Sequence, residues 1–439
     1  MACFVNVLAV LLVVFGSTVS CQKELEIGRD DNIEPFSLLC RIYNVAKNPP
    51  INYVDLLEAD KIVEEIDALN ASLVEPKSVN ETEPMENSVG AQLRHTTTRE
   101  AALLQISLNQ ITQRAHKILE DIRKINVTKE IEKAKAEFNK VIFGEDGNES
   151  NLCHATVKGM DNRSDVCGKP GQGSRGNGAG KNLVVDFFCL CAQRTESSEG
   201  AKQACGFHVG RIDKHYGWGE QGPWGSSTMW ASIKGGCGKH MQRHPKSTAE
   251  ARHILDQFLK HLRTGGVYRQ IKCEKDRNNC KDAIVEGSHR KVGMLGTGVT
   301  VSEGSAINCD GKEGGKEGKR NGNVNPGGVC VYYGSESNSW EENIEWLKQF
   351  KTALTSVDTA NNQTATIQRS IQKLQMLQQR VEEISETAKV ISEIKYPIRL
   401  ASLFQNASGN LTAHNATRIR SYSYNPNLYF IPLCVLLLQ

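Results

Sequence analysis

The sequence predicts a mainly α-helical protein: a long antiparallel helical hairpin, or coiled-coil rod, with a disulfide-rich and glycine-rich distal lobe. Two stretches without cysteine carry apolar residues at heptad spacing. Ten of the 14 cysteines lie between these stretches, and so does most of the glycine. We therefore divide the chain into an N-terminal helical arm over residues 21–150, a cysteine-rich lobe over 151–335 and a returning helix over 336–396.

The N-terminal arm is predicted to hold one helix of about 45 residues, roughly 70 Å long. Neither proline nor glycine interrupts residues 96–143, and apolar residues step by four and three through three heptads. These residues are Leu104, Leu108, Ile111, Ala115, Ile118, Ile122 and Ile125. Residues 51–73 repeat apolar side chains at helical spacing as well. Because a single rod cannot bury its stripe, we expect this segment and the returning helix to pack against it.

The returning helix is predicted to run from Trp340 to Ile394. Its seam consists of Leu374, Leu377, Val381, Ile384, Ala388 and Ile391. The polar run at 361–363 indicates a bend or a frayed turn, and Pro397 is a stop signal. Between the two arms, the glycine-rich stretches 168–180 and 311–328 predict turns and short strands, interrupted by a helix near 247–262.

Cysteine usage indicates an oxidising compartment. Cys3 and Cys434 lie in terminal segments that we expect to be removed, which leaves an even count of twelve. All twelve are predicted to form disulfides: Cys21, Cys40, Cys153, Cys167, Cys189, Cys191, Cys205, Cys237, Cys273, Cys280, Cys309 and Cys330. Those from Cys153 onward should pair mainly within the lobe. Cys21 and Cys40 should pair with each other or tie the N-terminus to the rod.

Both ends of the chain carry targeting patterns. Residues 1–20 have a short apolar run closing in small residues, which is typical of a secretory signal peptide. Residues 416–439 end in an apolar stretch too short to span a bilayer, which is typical of a glycosylphosphatidylinositol (GPI) signal. Asn415 is the expected attachment residue after a polar linker over 397–415, with Ser421 and Asn410 as alternatives. These patterns predict a protein anchored on the extracellular side of the plasma membrane.

Nine N-x-S/T sequons support the secretory route. The ninth, at Asn415, would be destroyed by anchor attachment, and the other eight are predicted glycosylation sites. These are Asn70, Asn80, Asn126, Asn148, Asn162, Asn362, Asn406 and Asn410.

No catalytic, cofactor-binding or metal-binding residue is predicted. The glycines before Lys181 resemble a phosphate-binding loop, but Arg175 and Asn182 replace required residues. Cys189 and Cys191 lack the paired spacing of a zinc site, so disulfides are favoured. Trp218 and Trp224 are expected to cap a small disulfide core or, less often, to form a ligand surface. The formal net charge of +3 gives no argument for nucleic acid.

The run Ser37–Pro50, SLLCRIYNVAKNPP, resembles the N-terminal signature of trypanosome variant surface glycoproteins (VSGs), most closely the B-type domain of the congolense lineage. The order of signal peptide, helical hairpin, cysteine-rich insertion, returning helix and GPI signal is similar as well. Many family members add a cysteine-rich C-terminal domain. No cysteine lies between Cys330 and Cys434, so we expect a polar linker in its place.

The resemblance implies a non-enzymatic glycoprotein that forms a dense protective coat and serves antigenic variation and immune evasion. Expected partners are a second copy in a homodimer, the outer leaflet through the GPI anchor, and host antibodies. The alternative is a GPI-anchored nutrient receptor with a helical-rod fold. A receptor would need a defined ligand pocket and would be present in few copies per cell.

Overall fold

The computed structural model describes residues 26–74, 99–195, 200–210, 216–240, 243–273, 283–301, 307–316, 324–336 and 339–395. Helix dominates these residues, as predicted. The helices are α1 (Ile33–Lys47), α2 (Leu56–Val74), α3 (Arg99–Lys124), α4 (Val127–Phe143), α5 (Arg163–Cys167), α6 (Leu183–Cys191), α7 (Ser226–His240), α8 (Thr248–Thr264), α9 (Trp340–Asn343) and α10 (Glu345–Lys395). The strands are β1 (Gly168–Lys169), β2 (Ser174–Arg175), β3 (Gly217–Gly219), β4 (Gly222–Trp224), β5 (Gly266–Cys273), β6 (Ala283–Lys291), β7 (Met294–Thr300), β8 (Gly315–Lys316), β9 (Val324–Asn325) and β10 (Gly327–Tyr332).

Helices α2, α3 and α10 form a three-helix bundle with its own apolar core. The predicted seams supply this core: Leu108, Ile111 and Ala115 are buried, and they share it with Leu374 and Val381. Polar contacts at the surface give the directions. Asp67 accepts a hydrogen bond from His116 at 3.0 Å, and Asp60 accepts one from Arg123 at 2.6 Å. Helix α3 therefore runs antiparallel to α2. Gln375 and Gln378 of α10 donate to Glu58 and Glu65 of α2, so α10 runs parallel to α2 and antiparallel to α3. The antiparallel hairpin predicted from the seams of α3 and α10 is confirmed.

The long first helix is divided where the sequence predicted continuity. The backbone at Ile125 tightens into a turn, and Asn126 accepts a hydrogen bond from the Lys129 N–H at 3.2 Å. This side chain caps the N-terminus of α4, which is a preferred role of asparagine. The predicted 45-residue helix was therefore wrong, because a local cap competes with helix continuation at that residue. Helix α4 still packs along α10.

The returning helix shows the opposite departure, since α10 continues through the polar run where a bend was predicted. Asn361 donates to the Pro50 carbonyl at 3.0 Å and accepts from the Asn52 N–H at 2.8 Å. Thr364 donates to the Asn52 carbonyl at 3.2 Å. The polar side chains bind the crossing segment before α2, so they do not interrupt α10. The interruption instead lies at Ile344, between α9 and α10.

The lobe has a second, larger core in which α6 is central. Every residue of α6 is buried. Helices α1, α4, α7 and α8 and the first turns of α10 pack into the same core. Because α1 and α4 contribute to it, the predicted division at residue 150 does not coincide with a change of core.

A four-stranded mixed sheet forms part of the lobe, in the order β10-β7-β5-β6. Strands β5 and β7 are parallel, and the remaining pairs are antiparallel. Gly265 ends α8 at a φ of 84°, and a Cβ there would lie 2.4 Å from the Lys291 carbonyl oxygen. Glycine is therefore required at the junction between α8 and the sheet.

The ends of α10 give the molecule its polarity. Phe350 and Leu354 are buried in the lobe core, whereas Ile371 and Val381 are buried in the bundle core. A helix of 51 residues is about 77 Å long at 1.5 Å per residue. Lys395 therefore lies at the end of the bundle that is remote from the lobe.

Candidate functional site

Four disulfides join described residues, and they brace the lobe around α6. Cys189 pairs with Cys167, and Cys191 pairs with Cys205. Cys309 pairs with Cys330, which links the segment before β8 to β10. Helix α6 is short, and its two bridges hold it in position in addition to its packing.

The fourth disulfide joins Cys40 of α1 to Cys237 of α7 across 197 residues of sequence. Cys40 therefore pairs neither with Cys21 nor with the rod, so both predicted alternatives were wrong for Cys40, and Cys237 is an exception to the pairing predicted mainly within the lobe. The physical reason is the burial of α1 between α7 and α8, which places its cysteine in the lobe core.

Cys153 corrects a further prediction, because its thiol is free and exposed. It lies in the short helical turn Leu152–Thr156, whose buried residues are Leu152 and Thr156. Cys21 and Cys280 lie outside the described residues. The disulfides predicted for Cys21, Cys273 and Cys280 remain predictions.

The C-terminal end of α6 is capped by a buried arginine that the sequence interpretation missed. Arg163 donates to the carbonyls of Ala192 at 2.7 Å and Cys189 at 2.9 Å, and its guanidinium lies 5.4 Å from the centre of the Trp218 ring. Burial lowers the pKa of Arg163 to about 9, so the group stays charged at neutral pH. A cation at a helix C-terminus satisfies orphan carbonyls and interacts favourably with the helix dipole. No sequence signal distinguishes this arginine from an exposed one.

The N-terminal end of α6 occupies the place where a phosphate-binding loop was considered. The Gly180 N–H donates to Asp186 at 2.9 Å, and Asn182 caps α6 by accepting from the Val185 N–H at 2.9 Å. An anion would need these backbone donors, but the chain's own side chains already occupy them. The sequence did carry a signal for Asp186, since an acidic residue within the apolar run LVVDFFCLC is unusual.

Asp186 is fully buried and joins the lobe to the rod. Its carboxylate accepts hydrogen bonds from the Tyr333 hydroxyl at 2.8 Å and from the Trp346 indole at 2.7 Å. Burial raises the pKa of Asp186 to about 7, although the three hydrogen bonds act in the opposite direction. Because Trp346 belongs to the first turn of α10, this contact ties the start of the rod helix to the lobe core.

Neither the zinc alternative nor a paired tryptophan surface is supported. Cys189 and Cys191 are oxidised, and no cluster of potential metal ligands is present in the described part of the chain. Trp218 is buried and donates to the Asp161 carbonyl at 3.1 Å, whereas Trp224 is exposed. The two tryptophans thus have different roles, and only Trp218 caps the disulfide core.

Five predicted glycosylation sites fall on described residues, and all five reach solvent. Asn126, Asn148, Asn162 and Asn362 are exposed, and Asn70 is half-buried beside Asn109. Asn80, Asn406 and Asn410 lie outside the described residues.

The signal peptide and the attachment residue Asn415, with its alternative Ser421, lie outside the described residues as well. Within the described chain, no helix is long and apolar enough to cross a membrane.

The fold and its bracing define a class of protein: an elongated helical rod with a disulfide-stabilised lobe at one end. The trypanosomal VSG domain model matches residues 14–101 and 77–376, which together cover most of the chain. The chain therefore belongs to the trypanosomal VSG domain family, whose members are structural coat glycoproteins of the cell surface. The family resemblance inferred from the N-terminal run is confirmed.

A curated relative agrees with this assignment. The chain is similar to "Variant surface glycoprotein YnAT 1.3" of Trypanosoma congolense, with 25% identity over 261 residues. The match covers 58% of this chain and 53% of the relative. The chain thus spans about half the length of the curated relative that it matches.

Proposed function

We propose that this protein is a GPI-anchored variant surface glycoprotein that forms a dense protective coat and serves antigenic variation and immune evasion, without catalysis. The observation that carries the proposal is the polarity of α10. This helix begins inside the lobe core and ends, at Lys395, at the opposite end of a narrow three-helix bundle. An anchor attached beyond Lys395 would hold the bundle toward the membrane and present the lobe outward.

The two separate cores suit a coat that changes its outer surface. Bundle stability rests on the α2, α3 and α10 seams, and lobe stability rests on the α6 core with its disulfides. In the described part of the lobe, loop residues such as Tyr216 and Val292 are exposed and belong to neither core, so the sequence of such loops can change at low cost in stability. We expect antibodies raised against live cells to recognise these loops.

A homodimer is the proposed assembly. Several large apolar side chains stay exposed on the bundle helices, and a second copy would remove them from water. They are Leu57 of α2, Leu103 and Ile106 of α3, and Met376 and Val390 of α10. Sedimentation equilibrium should give a mass of two chains, and a monomer at micromolar concentration would contradict this part of the proposal.

Surface labelling of live cells, followed by quantitative mass spectrometry, tests the coat function. A coat protein should dominate the labelled protein, whereas the alternative, a GPI-anchored nutrient receptor, would be a minor component. Low abundance on cells that express the protein would overturn the coat function.

Phosphatidylinositol-specific phospholipase tests the anchor separately. The enzyme should release the protein from cells, and the C-terminal peptide should end at Asn415 and carry ethanolamine. A mature peptide that contains Leu433 would show that the tail is retained, and the anchor would have to be withdrawn.

A further inference from the structure

A basic groove runs between α1 and α8 on the lobe, and neither the core nor the proposed coat function uses it. Two adjoining cavities of about 450 and 330 Å³ form it, and they share Arg41 and Gln257. Lining residues come from α1, α8, the segment before α8 and the end of β6. We call this feature the α1–α8 groove.

Positive charge predominates in the α1–α8 groove. Its permanent cations are Arg41, Arg243, Lys260 and Arg290, and its histidines are His253 and His261. Two acids line it as well. Glu250 is already engaged, since it accepts a hydrogen bond from the Lys246 N–H at 2.7 Å, and Glu34 is 86% exposed at the edge. The formal charge is therefore +2 with both histidines neutral.

The four permanent cations lack acidic partners. Arg41 donates to the neutral amide of Gln257, and Arg290 donates to the Gly265 carbonyl at 3.0 Å. Among the described residues, no carboxylate lies within ion-pair distance of Arg41, Arg243, Lys260 or Arg290. Most basic residues elsewhere on α8 do have such partners: Arg252 pairs with Asp358, and Arg263 pairs with Glu336. This row of cations is thus available for an external anion.

The groove is elongated along the axis of α8. His253, Gln257, Lys260 and Thr264 recur at helical spacing and line one face. From the first to the last of these residues, the axial distance is about 16 Å at 1.5 Å per residue. A single small anion would contact only part of this length, whereas an extended polyanion would contact all of it.

The chemistry of the lining favours a sulfated chain over other polyanions. No tryptophan, tyrosine or phenylalanine lines either cavity, so the groove offers no stacking surface for nucleic-acid bases. It is concave, whereas a lipid surface would need an exposed apolar or flat basic face. Arginine binds oxyanions through two parallel donors, which suits sulfate and carboxylate groups on a sugar chain.

We propose that the α1–α8 groove binds a linear sulfated glycan, such as the chains found on animal cell surfaces. The choice of a glycan rests on the extracellular location proposed above, because such chains are met outside the cell. Binding itself is measured on the purified chain, so a failed anchor assay and a failed binding assay remain distinguishable. The groove lies on the lobe, which faces away from the membrane in the proposed orientation, so such a ligand would be accessible there.

The test is calorimetric titration of the purified full-length chain with a heparin-derived octasaccharide. Binding is expected to weaken as salt is raised from low ionic strength, since exposed charges are screened. Arg243→Gln combined with Lys260→Gln should bind about tenfold more weakly. Both side chains are exposed, so the fold should be retained, and thermal unfolding checks this.

A matched control separates the groove from overall charge. Arg114→Gln combined with Lys373→Gln removes the same charge from exposed positions on α3 and α10 and should leave the affinity unchanged. Equal losses in the two double variants would show a general attraction and overturn the proposal. No binding at low salt would overturn it as well.

Two further probes identify the ligand class and the site. A fully desulfated octasaccharide, a single-stranded RNA of equal charge and phosphatidylserine vesicles should each bind more weakly than the sulfated chain, and an equal affinity for any of them would refute the assignment. The octasaccharide should protect Lys260, but not Lys373, from an amine-reactive reagent. Equal labelling of Lys260 with and without bound octasaccharide would place the site elsewhere.

Discussion

The buried Asp186 should make stability fall as pH rises, and Asp186→Asn should remove this dependence. The carboxyl group is fully buried, and burial raises its pKa from 3.8 to about 7. Between pH 4 and 7 the carboxyl group of Asp186 therefore keeps its proton in the folded state, whereas in the unfolded chain it has lost it. Where the folded state binds more protons, the free energy of unfolding decreases with increasing pH.

The magnitude follows from the same shift. A rise of about three pKa units at 1.36 kcal/mol per unit amounts to about 4 kcal/mol. The resulting decrease in the free energy of unfolding is absent below pH 4, grows between pH 4 and pH 7, and is constant above pH 7. Asp186→Asn keeps the shape of the side chain. If the amide oxygen accepts from Tyr333 and Trp346, the amide NH2 group faces the Gly180 N–H, which then loses its acceptor. The variant should therefore lose about 1–3 kcal/mol at pH 4.

The assay is urea unfolding under oxidising conditions, followed by tryptophan fluorescence from pH 4 to 8 at constant ionic strength. The difference in unfolding free energy between the natural chain and Asp186→Asn should shift by about 4 kcal/mol in favour of the variant across this range. Taking the difference cancels all other titrating groups. Asp256→Asn, at an exposed position, should show no such shift. A difference that stays constant with pH would refute the reasoning.

Three other outcomes are expected from the packing. Leu374→Ala in the bundle core should lower the free energy of unfolding by about 2–5 kcal/mol. Lys373→Ala, at an exposed position on the same helix, should change it by less than about 0.5 kcal/mol; equal effects in thermal denaturation would mean that the seam is not buried. Iodoacetamide without reduction should label Cys153 but not Cys40 or Cys237, and peptide mass mapping that finds Cys153 unlabelled would contradict its free thiol. Replacing both Cys40 and Cys237 by serine should cost about 2–5 kcal/mol, measured by urea unfolding, and an unchanged midpoint would show that this bridge is dispensable.

Helix periodicity was the most informative signal in the sequence. The step pattern from Leu104 to Ile125 placed the buried face of α3 correctly, because the side-chain direction in a helix depends only on spacing. Ile118 and Leu377 are nevertheless only partly buried. The spacing gives the face of a helix, but the depth of burial depends on the distance to neighbouring helices.

Local polar chemistry was less informative, because asparagine has several roles. Asn126 ends one helix and caps the next, whereas Asn361 lies within a continuous helix and binds a crossing segment. Both side chains can satisfy backbone groups, and the sequence does not show which groups are near. The break at Asn126 was therefore missed, and a bend was predicted at 361–363, where α10 is continuous.

The sequence by itself determined the helical arms, the clustering of cysteines between them and the family, since each of these is written in spacing and composition. Only the tertiary structure decided which cysteines meet, because the partner of Cys40 is 197 residues away. It also decided the protonation of Asp186, which depends on burial among Gly180, Tyr333 and Trp346. The α1–α8 groove likewise exists only in the folded chain, because its cations come from four separate segments and meet only where α1 packs on α8.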